Sequence, residues 1–184
     1  MGGAMSSVTI SGDTSGSIIL QAPAVSGSTT LTLPTTTGTL VTSNAMPTGS
    51  VLQVVNATSS TQVSTATNTY IDTGLTASIT PSSSSNKILI FVNQSGVMKQ
   101  VTAYVGLKLL RNSTSIVQFE NQAAWTNSSS TNDIGACGTT YLDSPATTSS
   151  VTYKTQFNSA ANTSLAFVNA GSEVSTITLM EIKG

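Results

Sequence analysis

Seven carboxylates carry most of the chemistry this chain could perform: Asp13, Asp72, Glu120, Asp133, Asp143, Glu173 and Glu181. Glycoside hydrolysis needs two carboxyl groups facing each other. Only Asp133 and Asp143, which flank one strand-like stretch, invite that reading, and isolated carboxylates in turns are the commoner case. There is no histidine, so Ser–His and Cys–His nucleophiles are excluded and the commonest zinc ligand is missing. Ser and Thr make up roughly a third of the residues, so a Ser near a Lys carries no information. No phosphate-cradling glycine motif occurs. The segment "TNDIG" is the nearest approach to an oxygen-rich calcium loop, and it is a weak one. The expectation is a protein that is not an enzyme, with no catalytic, cofactor-binding or metal-ligating residue.

Two residues stand apart. Cys137, the single cysteine, lies in the small apolar setting "IGACGTTY", which suits a strand-face filler rather than a nucleophile. It has no partner for an intramolecular disulfide. Trp125, the single tryptophan, sits in the Asn/Ser-rich run "WTNSSSTND" with Asn127 and Asn132. An aromatic ring flanked by amides can stack on a sugar or a partner surface. The plainer alternative is that Trp125 packs back as the anchor of its loop, in the core or at a subunit interface. Asn-x-Ser/Thr triplets at Asn56, Asn93, Asn112, Asn127 and Asn162 follow from composition alone.

What must position these residues is an all-β framework. The chain has 184 residues, 7% charged and 38% hydrophobic, with net charge −1, and its mean hydropathy is positive. Disordered chains combine low hydrophobicity with high net charge, so this one should fold. Six scattered cations, Lys87, Lys99, Lys108, Arg111, Lys154 and Lys183, give no footprint for nucleic acid. No apolar run reaches membrane-span length, and the first residues, "MGGAMSSVTISG", lack the basic and apolar regions of a signal peptide. No membrane insertion is expected.

Period-two alternation dominates, and Thr favours the pleated surface. Residues 1–45 read as four short strands: "SVTISG", "SIILQAP", "TTLTLP" and "GTLVTS". Leu31 and Leu33 share one face of the third, and Leu40 and Val41 supply the inward residues of the fourth. So few apolar residues cannot bury a core alone, so the segment must complete its core against the second domain or against copies of itself in an oligomer. After "SNAMPTGS", residues 46–184 hold about ten longer strand candidates at sandwich spacing. "NKILIFVNQ" has consecutive apolar residues and reads as a strand covered on both faces. "VTYKTQFN" alternates cleanly, with Val151, Tyr153, Thr155 and Phe157 inward. The expected fold is an intertwined N-terminal β segment followed by an antiparallel, jelly-roll-like β-sandwich.

The pattern "SIILQAP…GSTTLTLPTTTGTLVTS" resembles the short Thr/Leu/Pro units near the N-termini of bacteriophage tail fibres. Residues 47–93 are similar to a β-sandwich module of phage virion proteins, many from marine and cyanobacterial phages. The marks are Gly49-Ser50-Val51, the Tyr70–Gly74 turn, "SITPSSSSNKILI" and the later "LKLLRNSTSI" hairpin. The resemblance implies a homotrimeric virion component made in the host cytoplasm, such as a short tail fibre or spike. It would attach to other virion proteins by its N-terminus and present the sandwich to a host-surface glycan or protein. A capsid cement or head-decoration protein is the alternative, and a capsule-degrading glycosidase a more distant one.

Overall fold

The computed structural model describes residues 7–11, 14–21, 35, 46–126, 129–162 and 164–184. The chain divides into two compact units, Met1–Val41 and Thr42–Gly184, where the sequence pattern puts the boundary at 45/46. In the first, β1 (Ser7–Ser11) and β2 (Ser17–Gln21) form an antiparallel hairpin in which Ser7 pairs with Gln21 and Ser11 with Ser17. These are the first two of the four expected strands. Ile10 and Ile19 point to opposite faces, and each is 56% exposed. A lone hairpin is marginal in water. The other two expected strands, with Leu31, Leu33, Leu40 and Val41, lie outside the described residues.

The second unit is a β-sandwich. Its eight long strands are β3 (Val51–Ser59), β5 (Ile71–Ile79), β6 (Lys87–Ser95), β8 (Val105–Arg111), β9 (Thr114–Ala123), β11 (Ala136–Asp143), β12 (Val151–Ser159) and β14 (Ser175–Ile182). Between them lie four short strands, β4 (Val63–Thr65), β7 (Met98–Lys99), β10 (Asn132–Asp133) and β13 (Ala166–Val168). One long sheet runs β11-β6-β14-β3 and the other β5-β12-β8-β9, all antiparallel. That division of eight strands is the jelly-roll order, two Greek keys wound together. The short strands make a third sheet, β10-β7-β13-β4.

The core between the long sheets has two apolar parts. Leu75, Ile79, Ile88, Ile90, Tyr153, Ile177 and Leu179 anchor the larger. Val97, Val105, Leu107, Phe157 and Val168 anchor the smaller. Inward positions between the two are polar and fully buried: Thr73 on β5, Thr155 on β12, Gln94 on β6 and Ser175 on β14, joined by Asn169. Their hydrogen bonds run in one direction. Thr73 Oγ1 lies 2.6 Å from Thr155 Oγ1, and Thr155 Oγ1 donates to Gln94 Oε1 at 2.9 Å. Gln94 Nε2 then donates to Ser175 Oγ at 2.7 Å and Asn169 Oδ1 at 3.1 Å. Ser175 Oγ donates to Asn169 Oδ1, and Asn169 Nδ2 to the Thr61 carbonyl. Buried polar groups are tolerated only when bonded in this way.

At the other end of β14, Glu181 is buried without a salt bridge. Its carboxylate accepts from Gln53 Nε2 (2.6 Å), the Ser82 amide (2.7 Å), Ser82 Oγ (2.8 Å) and Asn86 Nδ2. Burial pushes its pKa up, but the donors from Asn86, Gln53 and Ser82 outweigh that, and the carboxyl titrates below its usual range. Asn86 Oδ1 in turn accepts from the Gly184 amide at 3.0 Å. This clasp fastens the loop before β6 to the last strand.

The structure departs from the sequence pattern, or adds to it, at three places. "TYIDTG" and "LTASITP" are one strand, β5, because Gly74 (φ +87°) sits where three residues oppose Thr155 in a bulge and carries the strand through. β6 is not covered on both faces: its inward residues are buried, but Phe91 stays 40% exposed. The polar run before β11 contains a strand, β10, too short to show any period.

Two outcomes follow. Thr155→Val should leave Gln94 Oε1 buried without its donor and cost about 1–3 kcal/mol in urea unfolding. Glu181, with a depressed pKa, contributes stability fully present above the unfolded value of about 4.3 and lost as pH falls through the folded one. Glu181→Gln should therefore lower the unfolding free energy at pH 7 and flatten its fall in acid. An unchanged acid profile would show the clasp to be inert.

Candidate functional site

β9 ends at Ala123, and Ala124 (φ +60°) turns the chain so that the Trp125 amide donates to the Gln122 carbonyl at 3.1 Å. The returning limb is fixed by β10, where Asn132 pairs with Lys99 and Asp133 with Met98 of β7. Beyond β10, the Ile134 amide donates to Val97 O, and the Val97 amide to Gly135 O. Asn132 Nδ2 crosses the loop to the Ala124 carbonyl at 3.2 Å. Trp125, held at this turn, is 57% exposed and does not pack into the core of the chain. Asn132 thus holds the turn that presents Trp125. Asn127 lies outside the described residues.

The third sheet adds apolar and strained surface near this loop. Lys99 is fully buried, and its ammonium donates to the carbonyl of Val101. Val101 has φ +49° and an exposed side chain. A β-branched residue in the left-handed region is a true outlier, of a kind that clusters at binding sites. Ile134, next to β10, is also exposed. A half-exposed indole beside amides, on a loop tied at both limbs, can stack on a ring or apolar surface without first being ordered.

Asp133 and Asp143 do not converge. Asp133 Oδ1 accepts the Gly135 amide in a turn at the start of β11. Asp143, at the other end of that strand, accepts Arg111 Nη1 at 3.0 Å and the Tyr153 hydroxyl at 2.6 Å. Ten residues of extended chain separate them by roughly 30 Å, far beyond the 5–9.5 Å of a glycosidase pair. Burial and the Asp143 carboxylate hold Tyr153 protonated. Cys137 is half-buried, and burial together with the charge of Glu120 pushes its thiol up to about 11. It is a poor nucleophile at neutral pH. Among the described residues, no group of three His, Cys, Asp or Glu could hold a metal ion, and no helix is long and apolar enough to cross a membrane.

A shallow cleft of about 310 Å³ opens on the outer face of the β5–β12 pair, lined by Asp72, Gly74, Thr76, Thr152 and Lys154. Its charges are already matched: Lys154 Nζ lies 2.8 Å from Asp72 Oδ2, and Gln156 Nε2 donates to Oδ1 at 2.7 Å. Burial raises the Asp72 pKa and these contacts lower it further than that, leaving a stable carboxylate. Beside them Lys108 sits 4.0 Å from the centroid of the Tyr70 ring. Sequence spacing gives no sign of these pairs, because Asp72 and Lys154 meet only through the β5–β12 register.

Trp125 is the sole tryptophan, so its fluorescence reports on this loop alone. Its emission should lie at the red, water-exposed end and move to the blue when a partner covers it. Trp125→Ala should change the unfolding free energy by less than about 0.5 kcal/mol, as for other exposed positions; a larger loss in denaturant titration would make the ring structural. No protein-family model matches the chain, and no curated protein sequence matches it.

Proposed function

We propose that this chain is a bacteriophage virion structural protein of the short-fibre or spike type, without enzymatic activity. Its N-terminal segment attaches it to the particle and associates with copies of itself in a homotrimer. The sandwich presents the Trp125 loop to a host-surface glycan or protein. The observation that carries this reading is Trp125, the largest side chain of its loop, left open to solvent on a turn tied by Asn132. A jelly roll supports it as an architecture used by capsid and lectin domains alike. So do the fibre-like residues 17–43 and the exposed Ile10 and Ile19 of a hairpin that needs further cover.

The test has two arms. Antibodies against residues 46–184 should decorate the tail of purified particles; label on the head would favour the capsid-cement alternative, and no label would reject a virion role. Trp125→Ala should weaken binding of the purified protein to host cells by at least about thirtyfold, the loss typical of a central aromatic contact. Undiminished binding would remove the loop from the receptor site.

A further inference from the structure

The two outer faces of the sandwich are dressed differently. Over β5, β12 and β8 the outward residues include Asp72, Lys154, Gln156 and Lys108. On the opposite sheet, the register lines Leu142 of β11, Leu89 of β6, Met180 of β14 and Val54 of β3 into one row across all four strands. Phe91 stands in the next row on one side and Val51 on the other. Val54 is 55% exposed, Leu142 49% and Val51 47%. The neighbouring row completes itself with Thr140, Thr178 and Asn56, all uncharged.

This is why β6 reads in sequence as covered twice. Consecutive apolar residues belong to strands buried on both faces, but the described residues of 46–184 cover only one face of this sheet. Four strands at about 4.8 Å and three rows of side chains span roughly 400 Å², with the central row apolar throughout and Phe91, Val51 and Ile182 beside it.

We infer that this face packs against the same face of a second copy of the chain. A two-fold contact sets like residues against like, so it tolerates no charge near its centre; the central row and the Phe91 row have none, and the Val51 row carries one, Lys87. The nearest charge, Lys87, lies at the rim, opposite Ile182. Whole faces of about 19 by 30 Å would bury on the order of 1,100 Å² between two copies, enough for a specific if modest interface. A membrane-binding face would instead need a rim of several basic residues, and Lys87 is the one cation in these three rows. The inference concerns residues 46–184 and stands apart from the virion reading.

Native mass measurement of the full chain at micromolar concentration tests it. Two variants attack the face, Val54→Lys/Leu142→Lys at its edges and Phe91→Lys on an interior strand. Ser78→Lys on the opposite sheet is the control. Whatever else joins the copies, loss of a two-fold contact should halve the mass in both face variants and leave the control unchanged. Because these side chains are partly exposed, thermal melts should show all three folded. A mass equal to wild type in Phe91→Lys overturns the inference. So does a wild-type chain with no even-numbered species, including one that binds phosphatidylcholine vesicles instead.

Discussion

The buried hydrogen-bonded belt of Thr73, Thr155, Gln94, Ser175 and Asn169 fixes how the two long sheets sit on each other. An apolar core is indifferent to small slips between sheets, since one methyl contact replaces another at little cost. A bonded chain of single donors and acceptors is not. A shift of one residue would turn Thr155 away from Gln94 and reverse the faces of β12, and each orphaned group would carry its desolvation cost. The belt also reaches the third sheet's end of the sandwich through Asn169, whose backbone amide donates to the Ser95 carbonyl at 2.9 Å. The loops around Trp125 therefore rest on a frame with one permitted register.

Much of this fold is legible in the residues. β12 alternates from Val151 to Phe157, and Val151, Tyr153, Thr155 and Phe157 all point inward as their spacing requires. Thr155 shows the limit of the reading. Nothing local marks it as part of a polar belt, because its partners Thr73 and Gln94 are brought to it from 82 and 61 residues away. β4, β7 and β10 are two or three residues long and have no period to detect. β5 hides behind Gly74, which signals a turn in sequence and serves as a bulge in the sheet. Trp125 could be singled out by type and setting. Its exposure could not, because that depends on the Asn132–Ala124 bond and on β10.

The consecutive apolar residues of β6 are a different kind of signal. Leu89 and Phe91 are water-averse, and among the described residues they face outward from the sandwich, with Phe91 40% exposed. Their outward positions mark a place where the described residues leave apolar surface without a cover. The same economy runs through the N-terminal hairpin, where Ile10 and Ile19 stand on both faces of two strands.

Charge is scarce enough to have a consequence of its own. Among the described residues there are two ion pairs, Arg111–Asp143 and Lys154–Asp72, and the second is largely open to solvent. Exposed pairs contribute little and are the ones that salt screens. The belt and the Glu181 clasp use neutral donors, whose strength dissolved ions hardly touch. A sandwich built this way keeps nearly the same folding energy from fresh water to brine, so salinity has almost no purchase on it.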